Sequence, residues 1–175
     1  FNGSVVAGPG AGSSFVSFCV EYAESFLYGN LLYVQGVSTA TVNAPSAYTT
    51  PSDPLSYETA WLLTQYHNNV YGHSVAVNDA MQQAFWYLED EIPQTSLNSL
   101  AQSYVSAANT AVGNGYNTYG NVRELNLFTN DSYTNHTQDQ LVLLAPVPEP
   151  ESYALLLAGL GLIGWVVRRH QLRPS

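Results

Sequence analysis

The single cysteine of this chain and its glutamines are the residues whose types could form an activated acyl bond. Cys19, the single cysteine, lies in the apolar segment Phe18-Cys19-Val20-Glu21. A thiolate can attack the carbonyl carbon of a glutamine side chain, which releases ammonia and leaves a γ-glutamyl thioester. Gln65, Gln82 and Gln83 lie on predicted helices and could supply the amide. The alternative is that Cys19 is a small buried apolar residue, as lone cysteines on apolar strands usually are.

The cysteine segment and the segment Met81-Gln82-Gln83-Ala84-Phe85-Trp86 together resemble the thioester domains of bacterial surface adhesins, over about residues 15–145. The resemblance implies that Gln82 is the partner of Cys19, with Met81 and Phe85 departing from the usual pattern. It also implies that Phe18, Phe85 and Trp86 keep water from the thioester. Strands arranged like a β-sandwich or barrel, with an inserted helical subdomain, are the implied fold.

Such a thioester reacts once with an amine and needs no cofactor, so the chain is not predicted to be an enzyme. The ordinary thiol pKa of about 8.5 makes the thiolate a good leaving group. The expected partners are therefore amine-bearing surface or matrix molecules.

Several other polar residues are candidate functional groups. His67 and His73 flank the loop before the second helix and could act as a base toward the incoming amine, although loop histidines are more often solvated. Glu89-Asp90-Glu91 is predicted to be a solvated helix face, because consecutive residues do not face one point. His136 and Asp139 are predicted to lie in a polar loop without metal-ligand spacing. No metal site is predicted.

The periodicity of apolar residues predicts an α+β domain, because strands precede and follow a block of helices. Ser56 is the expected N-cap of the first helix, Gly36 a possible bulge in the second strand, and Pro93 the end of the second helix. The predicted strands are 15–20, 31–42, 122–129 and 140–144, and the predicted helices are 56–68, 75–91 and 96–112.

The charge distribution excludes one class of partner. The chain contains no lysine, and residues 1–147 carry one arginine against eleven acidic residues, a formal charge of −10. Such a surface has no cations to release the counterions of nucleic-acid phosphates, so nucleic-acid binding is excluded. The missing lysine would also spare a thioester from reaction with other copies of the chain, although compositional drift explains it equally well.

The C-terminal residues combine three features in order. Pro148-Glu149-Pro150 is followed by the uncharged run 153–167 and then by Arg168 and Arg169. As a helix the run rises about 22 Å, which is short of a hydrocarbon core of about 30 Å. This tail resembles the PEP-CTERM sorting signal of Gram-negative bacteria, although a plain membrane anchor is an alternative. The resemblance implies an exosortase-type transpeptidase as partner and transient anchoring in the inner membrane through a C-terminal apolar helix.

The sequence thus predicts a flexible segment 1–14, a thioester-like domain 15–146 and a sorting tail 147–175, with a processed N-terminus at Phe1. The predicted protein is exported to the cell surface or the extracellular matrix, where it attaches covalently to its partners. The alternative is a self-associating subunit of an extracellular sheath or filament, in which the thioester is an internal crosslink or is absent. The abundance of tyrosine, with 13 residues, and the low content of charged residues fit either prediction.

Overall fold

The computed structural model describes residues 2–4, 14–27, 29–41, 53–145, 156–160 and 162–163. The chain divides into two compact units, Phe1–Leu144 and Ala145–Ser175. Most of the predicted flexible segment 1–14 lies outside the described residues, as do the sorting-motif residues Pro148, Glu149, Pro150, Arg168 and Arg169.

The described strands of the first unit form two sheets. They are β1 (Asn2–Ser4), β2 (Ser14–Val16), β3 (Phe18–Cys19), β4 (Tyr33–Ser38), β5 (Val122–Phe128) and β6 (His136–Leu143). The main sheet has four antiparallel strands in the order β3-β6-β5-β4, so β3 and β4 are its outer strands. A separate two-stranded sheet pairs β1 with β2. The described strands therefore form an open sheet and a hairpin-like pair, not the sandwich or barrel that the resemblance implied.

Three helices are inserted between β4 and β5, which confirms the α+β class. They are α1 (Tyr57–His67), α2 (Val75–Leu88) and α3 (Ser99–Gly113). The predicted cap is confirmed, since the Ser56 side chain accepts a hydrogen bond from the Thr59 amide. Such a cap satisfies one of the amides that a helix start leaves without a partner.

Two predicted helix boundaries are wrong by about three residues. Helix α2 ends at Leu88 and not at 91, because the next turn changes direction at Asp90, whose φ is 62°. Helix α3 begins at Ser99 and not at 96, because Asn98 is its N-cap and a short 3-10 helix, Gln94–Ser96, occupies the preceding turn.

The hydrophobic core lies between the helices and one face of the main sheet. Phe18 on β3 contacts Phe85 of α2 and Tyr66 of α1, with ring centroids 4.9 and 5.0 Å apart in edge-to-face geometry. Leu141 on β6 pairs with Phe18 in register and is buried beside it. Burial of these large apolar side chains provides the main driving force for docking the helices on the sheet.

Strand β6 begins at His136, four residues before the predicted strand, so the polar loop predicted for His136 and Asp139 is wrong. The side chains of 137–140 are buried although they are polar. Asp139 explains how this is possible: its carboxylate accepts hydrogen bonds from the Leu127 amide at 2.8 Å and from Asn126 Nδ2 at 3.0 Å. These bonds satisfy the two donors at the place where the register of β5 is irregular, between Leu125 and Leu127. The bulge predicted on β4 is confirmed, between Val34 and Gly36.

In the second unit, the described residues 156–160 and 162–163 are helical, and Leu156, Leu157, Leu160, Leu162 and Ile163 are exposed. Among the described residues, no helix has the length and apolar character needed to cross a bilayer. Of the short apolar helix predicted over 153–167, these described residues are helical, and no long apolar helix is found among them.

Candidate functional site

Cys19 lies on the outer strand β3 and is 2% exposed. The Val20 amide donates to the Asp139 carbonyl on β6, so the N–H and C=O of Cys19 point away from the sheet. The side-chain amide of Gln82 on α2 meets them there. Its Oε1 accepts from the Cys19 amide at 2.9 Å, and its Nε2 donates to the Cys19 carbonyl at 2.8 Å. Gln82 therefore contacts Cys19 by hydrogen bonds to the backbone of the cysteine.

A second glutamine, Gln140, lies beside the cysteine sulfur. Gln140 on β6 is the register partner of Cys19. The two residues form a pair without mutual backbone hydrogen bonds, and the side chains of such pairs are the closest in an antiparallel sheet. Gln140 Nε2 lies 3.5 Å from Cys19 Sγ, and Gln140 is 4% exposed. This residue was missed at the sequence level, because 121 positions separate it from Cys19.

The Gln140 amide is held in place by two further contacts. The buried Ser17 hydroxyl donates to Gln140 Oε1 at 2.9 Å, and Gln140 Nε2 donates to the Asp139 carbonyl at 3.1 Å. A hydroxyl that donates to an amide oxygen polarises the carbonyl and can stabilise negative charge that develops there. The site therefore contains a thiol, an oriented amide and a donor to its carbonyl oxygen.

The protonation state of Cys19 follows from its surroundings. Burial raises the pKa of the thiol to about 11, although the hydrogen bond from Gln140 acts in the opposite direction. At neutral pH the sulfur is therefore a protonated thiol. Because leaving-group ability falls as thiol pKa rises, a thioester at this sulfur is also less labile than one formed by an exposed cysteine.

We expect the alkylation rate of the Cys19 thiol in the folded protein to rise about tenfold per pH unit from pH 7 to 10. The reason is that only the thiolate reacts, and its fraction keeps growing until the raised pKa is reached. Timed iodoacetamide labelling measured by mass spectrometry gives the profile. A plateau near pH 8.5, as expected for the urea-unfolded control, would contradict the raised pKa.

The residues predicted to exclude water occupy different environments. Phe18 and Phe85 are buried in the helix-facing core, whereas Trp86 is half-buried and packs edge-to-face on Tyr22 at 5.0 Å. Because neighbouring residues of a strand point to opposite faces, the Phe18 ring lies across the sheet from the sulfur of Cys19. A shielding role for these three side chains stays a prediction.

The two predicted base candidates interact with α1. His67 Nδ1 lies 3.1 Å from the Leu63 carbonyl oxygen, and His73 Nε2 lies 3.0 Å from the Tyr66 carbonyl oxygen. The His73 ring also contacts the Tyr66 ring, with centroids 4.5 Å apart. A role as base stays a prediction for both histidines.

The solvated face predicted for Glu89-Asp90-Glu91 is wrong for two of its residues. Glu89 is 7% exposed and accepts from the Ser56 hydroxyl at 2.7 Å, which ties the end of α2 to the start of α1. Burial raises the pKa of Glu89 to about 7. Glu91 accepts from the Tyr22 amide at 2.9 Å, three residues beyond the end of β3. Asp90 is exposed.

A second polar cluster was missed because its members are distant in sequence. His136 lies 3.1 Å from Glu24 through Nδ1 and 3.2 Å from Asp139 through Nε2. Burial lowers the pKa of His136, but the hydrogen bonds to Asp139 and Glu24 outweigh burial and raise it to about 10. Glu21, His136 and Asp139 each offer one potential metal ligand atom, and these atoms lie within 4.8 Å of one another.

Comparison with known proteins identifies the tail. Residues 146–170 match the family described as the PEP-CTERM protein-sorting motif. No curated protein and no solved structure matches the chain significantly. The matched motif confirms the predicted sorting signal, which is processed by exosortase. The chain is therefore an exported protein, associated with the cell envelope or surface, that carries a PEP-CTERM sorting motif.

Proposed function

We propose that this exported protein forms an internal thioester at Cys19 and uses it once, to attach covalently to an amine-bearing molecule at the cell surface or in the matrix of a Gram-negative bacterium. The observation that carries the proposal is the contact between Cys19 Sγ and the Gln140 amide at 3.5 Å. Burial supports it as well, since a thioester survives only where water is kept out and Cys19 is 2% exposed.

Of the two amides beside Cys19, that of Gln140 is better placed to be the acyl donor. Its carbonyl carbon is bonded to Nε2 at about 1.33 Å, so it lies within about 5 Å of the sulfur. Both side chains stand on the same face of the sheet. The Gln82 amide, which the sequence predicted as donor, lies instead in the plane of the sheet, where it binds the Cys19 backbone. Gln82 is the second candidate.

The reaction balances without a cofactor. Cys19 Sγ bonds to the amide carbon, the C–N bond breaks, and the nitrogen leaves as ammonia with the thiol proton. In the intermediate, negative charge develops on Gln140 Oε1, where the Ser17 hydroxyl donates. An amine then attacks the same carbon, the C–S bond breaks as an amide bond forms, and the proton that the amine loses restores the thiol of Cys19.

The composition of the chain favours a nucleophile from another molecule. The chain has no lysine, so none of its side chains offers an amine to the thioester. Reaction with an outside amine gives a bond between two molecules, as attachment to a surface or a matrix requires.

The purified chain is expected to be lighter than its sequence mass by one ammonia, and methylamine is expected to add to one glutamine while a thiol appears at Cys19. Intact-mass and peptide mass spectrometry test both points. The Cys19→Ala variant should have full mass and take up no methylamine. Full mass in the wild type, together with a thiol that is free before treatment, contradicts the proposal.

The same measurement distinguishes the two glutamines. We expect the methylamine label on Gln140 and none on Gln82, and we expect Gln140→Ala to abolish the ammonia loss. Gln82→Ala should keep some ammonia loss, since it removes a backbone contact and no acyl group. Gln65→Ala, which alters a glutamine on α1, is the matched control and should behave as the wild type. A label on Gln82 would restore the donor predicted from the sequence.

A further inference from the structure

The cluster of Glu21, His136 and Asp139 plays no part in the proposed thioester chemistry, yet its geometry is that of a ligand set. One potential ligand atom from each residue lies within 4.8 Å of the other two. Ligands about 2.1 Å from a shared ion stand up to about 4 Å apart, so shifts of about 1 Å bring all three to one centre. The residues come from the segment after β3 and from β6, two parts of the chain that the sheet already holds together.

The buried carboxylate of Glu21 is the independent observation that points to a ligand. Glu21 is 2% exposed, and its Oε2 accepts from the Asp139 amide at 2.9 Å. Its Oε1 is buried and has no hydrogen-bond partner among the described residues. A buried carboxylate oxygen in this state is costly unless another group or ion meets it.

Glu24 completes the arrangement from the other side of the imidazole. Its carboxylate lies 3.1 Å from His136 Nδ1, which leaves Nε2 directed to Asp139. This ion pair places a carboxylate beside the second ring nitrogen, the position from which a carboxylate usually fixes the tautomer and the ring orientation of a metal-bound histidine. Arg123 is the one arginine or lysine in the described ranges, and its guanidinium donates to the carbonyls of Gly120 and Val122.

We propose that Glu21, His136 and Asp139 bind a divalent transition-metal ion of the zinc type, with Glu24 orienting the histidine. An imidazole nitrogen combined with two carboxylates suits zinc, whereas calcium takes oxygen ligands. Metal binding displaces the proton on His136 Nε2. The positive charge of the ion then neutralises the surrounding carboxylates in place of the protonated histidine. The ion would tie β6 to the segment that follows β3.

Isothermal titration of the purified full chain with zinc chloride and with calcium chloride tests the site. We expect one equivalent of zinc to bind, the melting temperature to rise with zinc, and calcium to do neither. Glu21→Gln keeps the shape of the side chain and removes a charged ligand, so it should weaken zinc binding about tenfold or more. Asp131→Asn, an exposed change in the β5–β6 loop, should bind zinc as the wild type does.

Two further measurements test the proposal. Cys19→Ala should bind zinc unchanged, which separates this site from the thiol and from the proposed thioester. If Glu21→Gln fails to fold, cobalt absorption of the wild type replaces it, since a histidine–carboxylate site gives a spectrum distinct from hydrated cobalt. No zinc binding by the wild type, undiminished binding by folded Glu21→Gln, or a hydrated cobalt spectrum would overturn the proposal.

Discussion

Replacing Phe85 with alanine is expected to lower the free energy of unfolding by about 3–5 kcal/mol. The Phe85 side chain is fully buried and lies against Phe18, with ring centroids 4.9 Å apart. Truncation removes the apolar transfer energy of the ring and leaves a cavity where α2 packs on β3. The loss is large compared with the total stability of about 5–15 kcal/mol that is usual for a domain.

Urea unfolding followed by circular dichroism measures this effect, and the same helix provides the control. Val75 at the start of α2 is 76% exposed. Val75→Ala should therefore change the unfolding free energy by no more than about 0.5 kcal/mol. Equal effects of the two substitutions would mean that Phe85 does not lie in a packed core.

The second large effect is a loss of stability as the pH rises. Burial and, to a smaller extent, the nearby charge of Glu89 together raise the pKa of Glu124 to about 10, while burial raises the pKa of Glu89 to about 7. A carboxyl whose pKa is raised by folding stabilises the fold fully below its unfolded pKa of about 4.5. That contribution to stability is lost as the pH rises through the pKa of the folded state, first for Glu89 and then for Glu124.

Melting temperatures at pH 5, 7 and 9 test this expectation. We expect the highest value at pH 5 and a continuing decline to pH 9. Glu124→Gln, which imitates the neutral carboxyl, should make the decline above pH 7 shallower without abolishing it, because His136 also has a raised pKa of about 10. Glu58→Gln on the partly exposed face of α1 should leave the decline intact. A wild-type profile that is flat from pH 5 to 9 would show that Glu124 is not buried as described.

Local signals were sufficient to predict the helices. Helix α1 was expected over 56–68 and is found at Tyr57–His67, because Ser56 caps it and the apolar spacing continues through it. The start of α2 at Val75 was likewise predicted. Such features depend on neighbours a few residues away, which is why one sequence contains enough information to place them.

The first half of β6 could not be predicted in the same way. Residues 136–139 are polar, and they join the strand because distant groups satisfy them: Gln138 donates to the Glu21 carbonyl, and Asp139 bridges the irregular part of β5. Prediction of the candidate site from the sequence is limited in the same way. The segment Phe18-Cys19-Val20-Glu21 indicates the thiol as a candidate, but the register that sets Gln140 opposite Cys19 is a tertiary property.

The amide of Gln82 has a consequence for the behaviour of the protein at high local concentration. An outer strand with unpaired peptide groups is a template for strand addition by another molecule, and natural proteins block such edges. On β3, the Gln82 amide acts as a surrogate peptide unit that takes both free backbone groups of Cys19. Intermolecular β-sheet extension is thereby blocked at this edge, next to the thiol, so a partner must approach Cys19 by another route.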